Sequence, residues 1–165
     1  IALSTAGCTW TVGTWLQARL DGAYGEGSRT ARAIIGFSVM VAGVGAMAAS
    51  VLVPSIPSAF AIAFWGLGGL GMGLVYPTLS VIVLGLAPAG QEGRTSSSLN
   101  LAENLGIALG AGFAGAALDW SHASGWSQQG SIGSAYLVAI APGLIGILTA
   151  IRIARPAFAR PALER

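Results

Sequence analysis

One carboxylate in this sequence sits where a carboxylate is costly. Glu103 is the ionisable side chain inside the apolar run from about Thr95 to Leu118. At a helical rise of about 1.5 Å per residue it lies on the order of 12 Å from the start of that run. Ser96, Asn100, Glu103 and Asn104 fall within roughly 100 degrees of one another on a helical wheel, and Gly110 lies along the same stripe. An acid at such depth in hydrocarbon costs on the order of 2.5 to 3.5 kcal/mol unless it is paired, hydrated or protonated. The chemistry open to Glu103 is reversible proton binding, a substrate contact or a switch with an arginine. The plainer alternative is an acid hydrogen-bonded to a neighbouring helix or reached by water. Asn100, Asn104 and Tyr76 join it as candidates for a substrate or proton path.

Other constellations carry less. Ser4, Cys8, Thr11 and Trp15 share one helical face at spacings of four, three and four; such a face lines a cavity or bonds back to its own helix. His122 lies beside Asp119 in a polar stretch, with no second histidine to form a metal site, and the single Cys8 excludes a disulfide framework. The run GLGGLGMG, from Gly66 to Gly73, begins with the pattern G-x-G-x-x-G. A nucleotide site needs a strand before that pattern and a helix after it, whereas here it lies in the middle of an apolar run. Close helix packing by small residues is the expectation instead, at Gly69 and Gly73 and again at Gly106 and Gly110. The chain has no lysine, hence no Walker A loop. No cofactor, metal centre or convergent nucleophile and base emerges, so an enzyme is not expected.

The elements that position these residues are helices in lipid. Apolar residues make up 54% of the chain and charged ones 8%, against about 25% charged in a soluble domain. Five apolar runs stand out, over residues 1–18, 33–53, 59–87, 95–118 and 134–153. Each approaches the roughly 20 residues needed to cross hydrocarbon. They are too long and too uniformly apolar for barrel strands, so the expected fold class is an all-α, polytopic transmembrane bundle of five spans. Pro54 to Pro57 separates the second span from the third, and Ala87 to Arg94 turns the third into the fourth. Pro77 interrupts the third span, where a kink is expected. Trp120, Trp126 and Tyr136 near the last outer loop suit an interfacial aromatic belt.

Arginine placement orients the spans. Arg19, Arg29 and Arg32 lie between spans one and two, Arg94 between three and four, and Arg152, Arg155, Arg160 and Arg165 at the end. With alternating spans all eight fall on one side, which the positive-inside rule makes cytoplasmic. The tail 154–165 is then cytoplasmic, the location is a plasma (inner) membrane, and the pI near 9.2 reflects a basic rim rather than nucleic-acid binding. Ile1 opens directly in an apolar run, so an incomplete chain is expected.

The runs GTWLQARLDGAYGEGSRTARAIIG and GLGGLGMGLVYPTLSVIVLGLAPAGQEGRTSSSLNLAENLGIALGAGFAGAALD, with a final span and an arginine-rich tail, resemble the end of a major facilitator superfamily transporter. That resemblance implies a fragment of a twelve-helix fold, the five spans being helices eight to twelve and the N-terminal half of the same chain being missing. It implies alternating access about a central site, most similar to proton-coupled efflux of a small drug-like or metabolite molecule. Uptake of a solute is the alternative within the family, and a non-transporting five-helix membrane subunit is the alternative outside it. The family's loop signature is a glycine, three residues, an acid, then a glycine and basic residues. Gly13 matches the first glycine, Gln17 stands at the acid, Leu20 stands at the second glycine, and Arg29 and Arg32 come later than the basic pair. Gly13, Gln17, Arg19, Arg29 and Arg32 are the candidates for a cytoplasmic gating loop. Gly106, Gly110, Gly112 and Gly115 are similar to the family's antiporter glycine motif, without its proline.

Overall fold

The computed structural model describes residues 2–57 and 59–158. Ile1, Ser58 and residues 159–165, with Arg160 and Arg165, lie outside the described residues. The described chain is helical throughout: α1 (Ala2–Tyr24), a 3-10 turn (Glu26–Ser28), α2 (Arg29–Leu52), α3 (Ala59–Gly85), α4 (Glu92–Ala123) and α5 (Gln128–Phe158). Each of the five apolar runs falls on one helix, and most helices continue past the apolar stretch into polar flanks. This is the form expected where every backbone group must be bonded within its own segment. α3 passes through Pro77 as one unbroken helix.

Four helical segments, Glu26–Leu52, Ala59–Gly85, Glu92–Ala123 and Gln128–Arg152, are long and apolar enough to cross a membrane. α1 has the length, at 23 residues, but four threonines, Gln17, Arg19 and Asp21 dilute its hydropathy. Its place in the bundle comes from packing against α3. Large apolar side chains point outward along the other helices, among them Ile107, Phe113, Leu137, Ile145 and Leu148, all at least 60% exposed. Exposed apolar surface on this scale suits contact with acyl chains.

Close glycine contacts set the helix directions. Gly66 faces Thr5 and Thr9, and Gly73 faces Gly13 and Thr14, so α1 and α3 run parallel. Gly36 faces Val75 while Gly43 faces Gly68, so α2 and α3 are antiparallel. Val41 meets Gly143 and Phe37 meets Gly146, which makes α5 antiparallel to α2. Ser134 reaches the Ala117 carbonyl across α4 and α5 at 3.2 Å. This alternation brings Arg19, Arg29, Arg32, Arg94 and Arg152 to one end of the bundle and Pro54–Pro57 to the other. The middle of α3 is its most buried stretch, with Gly66, Gly68, Gly71, Gly73, Leu74, Val75 and Thr78 all inside. α4, by contrast, buries only Ser121 among its described residues.

Candidate functional site

The carboxylate stripe is built where α3 meets α4. The Tyr76 hydroxyl donates to Glu103 Oε2 at 3.0 Å, and the Tyr76 ring lies edge-on to Trp10 of α1, centroids 6.2 Å apart. Trp10, Tyr76 and Glu103 therefore form a line across three helices. α4 otherwise leans on α5 at its far end, where Ser134 Oγ bonds the Ala117 carbonyl and sits 3.4 Å from Ser121 Oγ. The structure thus joins Tyr76 to Glu103. It does not bring the asparagines to them: Asn104 Nδ2 donates to the Asn100 carbonyl on its own helix at 2.8 Å, and both residues are exposed.

The packing glycines divide. A Cβ on Gly69 would lie 2.6 Å from the Ala6 carbonyl oxygen, and one on Gly73 would fall 2.9 Å from Gly13 Cα. Gly106 and Gly110 meet nothing within 4 Å; they line an open groove of about 780 Å³ between α4 and α5. Gly13 also belongs with the packing residues, since its Cβ would lie 2.5 Å from the Leu70 carbonyl oxygen.

Where α1 turns into α2, the ionic contacts converge on an acid that the loop pattern did not single out. Arg29 grips Asp21 with Nε at 3.0 Å and Nη2 at 3.1 Å, and reaches Glu26 at 2.9 Å. Arg32 pairs closely with the same Asp21. Its guanidinium also donates to the Leu20 carbonyl at 2.9 Å, Ser28 Oγ at 2.8 Å and the Gly25 carbonyl at 3.3 Å. Gly25 has φ +63, a left-handed geometry that glycine adopts without a Cβ penalty, and it turns the chain so that α2 can reach back. Arg32 is 6% exposed, and its Nε has no partner. Gln17, at the position where the pattern has its acid, is 5% exposed with an unpartnered Oε1. Asp21 follows it by one helical turn, and that spacing is the signal in the sequence for the true partner. The Arg29 hydrogen bonds outweigh the cost of burial, and with the charges of both arginines they hold the Asp21 carboxyl below the ordinary aspartate range. Arg19 stands apart from this cluster, with its guanidinium 4.4 Å from the centroid of Trp15.

Ser4, Cys8, Thr11 and Trp15 all lie on the exposed side of α1. The Thr11 hydroxyl bonds back to the Gly7 carbonyl of its own helix at 3.0 Å. His122 is exposed at the end of α4, near the edge-to-face pair Trp120 and Trp126. No group of three or more histidine, cysteine or acidic residues is placed to hold a metal among the described residues. Comparison with protein-family models, with curated proteins and with solved structures finds no match.

Proposed function

We propose that this chain is the C-terminal part of a secondary transporter of the major facilitator kind, working by alternating access. Its cargo is a small drug-like or metabolite molecule, exported against protons, with the arginine end of the bundle in the cytoplasm. The observation that carries the reading is the Tyr76–Glu103 hydrogen bond, because it ties an otherwise loosely held α4 to the buried α3. A charge-assisted hydrogen bond to a carboxylate is roughly twice as strong as one between neutral partners. Proton binding at Glu103 therefore loosens the α3–α4 contact, and proton release tightens it. A helix attached at one end to α5 and at the other by a proton-sensitive bond suits a rocking element better than a static one. The polar loop cluster around Asp21, Arg29 and Arg32 sits at the same end and holds α1 to α2 while that movement occurs.

The test is proton flux in vesicles containing the full-length protein, screened against a panel of drug-like compounds. Glu103→Gln is expected to lower compound-dependent proton flux while expression stays intact. Unchanged flux returns Glu103 to a packing role and removes the support for coupling at this site.

A further inference from the structure

A second site borders Trp10, the ring that packs against Tyr76. A half-enclosed cavity of about 420 Å³ opens between α1, α2 and α3, walled by Trp10 and Trp65 with Met40 and Met72. Its volume falls within the range of small-molecule pockets, roughly 300 to 1,000 Å³. Two glycines hollow it out. Gly7 meets nothing within 4 Å, and a Cβ on Gly68 would touch only Val44, at 3.9 Å. These glycines differ from Gly69 and Gly73, whose missing side chains are replaced by neighbouring backbone. Here the missing side chains leave open space.

We propose that this cavity binds a neutral aromatic molecule delivered from the lipid phase. No charged residue lines it, so an ionic ligand would enter without a counter-charge at a desolvation cost. Gly68 lies roughly 13 Å along α3 from its start, inside the hydrocarbon, where a neutral molecule arrives by partition. Two indoles and two thioethers favour a flat ring over a flexible chain, because aromatic rings pair with one another and sulfur contacts ring edges. Trp10 also borders Tyr76, with ring planes at 64°. A ligand seated against Trp10 fixes that ring, and through it the tyrosine whose hydroxyl holds Glu103. The site stands on its own geometry, and its role as the cargo site rests on the transport reading.

The test uses the full-length protein in lipid nanodiscs and N-phenylnaphthylamine as the probe, with energy transfer from tryptophan as the signal and empty discs as the blank. Binding is expected to saturate at one dye per chain. Gly68→Leu fills the cavity and is expected to weaken binding roughly tenfold or more, the scale on which apolar pockets respond to added carbons. Trp10→Ala removes a wall from an exposed side chain, keeps the fold, and is expected to weaken binding as well. Gly93→Leu, whose Cβ also meets nothing but which lies in the first turn of α4, is expected to bind as the parent does. Non-saturating uptake equal in parent, Gly68→Leu and empty discs overturns the proposal. So does quenching of tryptophan by brominated acyl chains that the dye fails to relieve, because a lipid chain then holds the cavity. Lost dye binding with proton-coupled transport intact would sink the cargo role alone; saturable binding without proton flux would sink the transport reading and leave the site.

Discussion

α3 and α4 are written in similar letters and are used in opposite ways. Both are glycine-rich apolar helices, at 27 and 32 residues. Gly69, Gly71 and Gly73 of α3 are sunk against neighbouring backbone: a Cβ on Gly71 would lie 2.5 Å from the Met40 nitrogen, and Gly73 abuts Trp10 and Gly13. Those of α4 at Gly106, Gly110, Gly112 and Gly115 face open space. Helix association in lipid is driven by packing rather than by an apolar preference. Small-residue spacing therefore records that a helix can be approached closely, and the helix opposite decides whether it is. Among the described residues α3 is the packed centre, and α4 presents its glycine face unpacked.

The largest expected effect breaks or upholds that contrast directly. Gly73→Leu forces side-chain atoms into the α1 backbone and should destabilise by about 3 kcal/mol, the upper range for overpacking. Gly110→Leu should change stability by less than about 0.5 kcal/mol, as for a surface site. Thermal unfolding in detergent measures both. Equal destabilisation would mean that α4 is covered in the folded protein and that the contrast is false. Loss of transport in Gly110→Leu at unchanged stability would sharpen it, marking the α4 face as a contact made only during the cycle.

The helices were legible because hydrocarbon imposes length and apolarity on any span, and both are properties of the sequence read in one dimension. The common arginine end followed from the same arithmetic, for the arginines among the described residues. What α4 touches was not legible, because Gly69 with Gly73 and Gly106 with Gly110 share one spacing while only the first pair has a helix against it. The acid of the loop escaped the pattern for a related reason. The pattern drew attention to Gln17, but helix α1 runs on to Tyr24 and carries Asp21 to where Arg29 and Arg32 can meet it. Tyr76 and Glu103 lie 27 residues apart, and only the crossing of α3 and α4 makes them partners.

A second and smaller effect tests the packed side of the contrast. Asp21 lies beyond the apolar part of α1 and is held below the ordinary aspartate range by Arg29 and Arg32. A carboxyl whose folded pKa is depressed contributes stability that is fully present above its unfolded pKa, near 3.9. That contribution is lost as pH falls through the lower folded value. Asp21→Asn should therefore lower the unfolding temperature at neutral pH, leaving the Arg32 guanidinium buried with carbonyl and hydroxyl partners alone. The gap between variant and parent should close only well into acid. A gap that closed nearer neutrality would assign the loop's stability to some other titrating group.

The smallest effect tests whether α4 is tethered at one point. Tyr76→Phe keeps the ring against Trp10 and removes only the hydroxyl that bonds Glu103. If the bond is the functional link between α3 and α4, its two ends act as a unit and their losses do not add. Tyr76→Phe should lower compound-dependent proton flux less than Glu103→Gln does, since the carboxylate survives. The double variant should then be little worse than Glu103→Gln alone, because the tyrosine hydroxyl is left donating to a neutral amide oxygen, which holds it more weakly than a carboxylate. Fully additive losses would separate the two residues, leaving Tyr76 as a ring packed against Trp10 and Glu103 as an acid whose partner lies elsewhere.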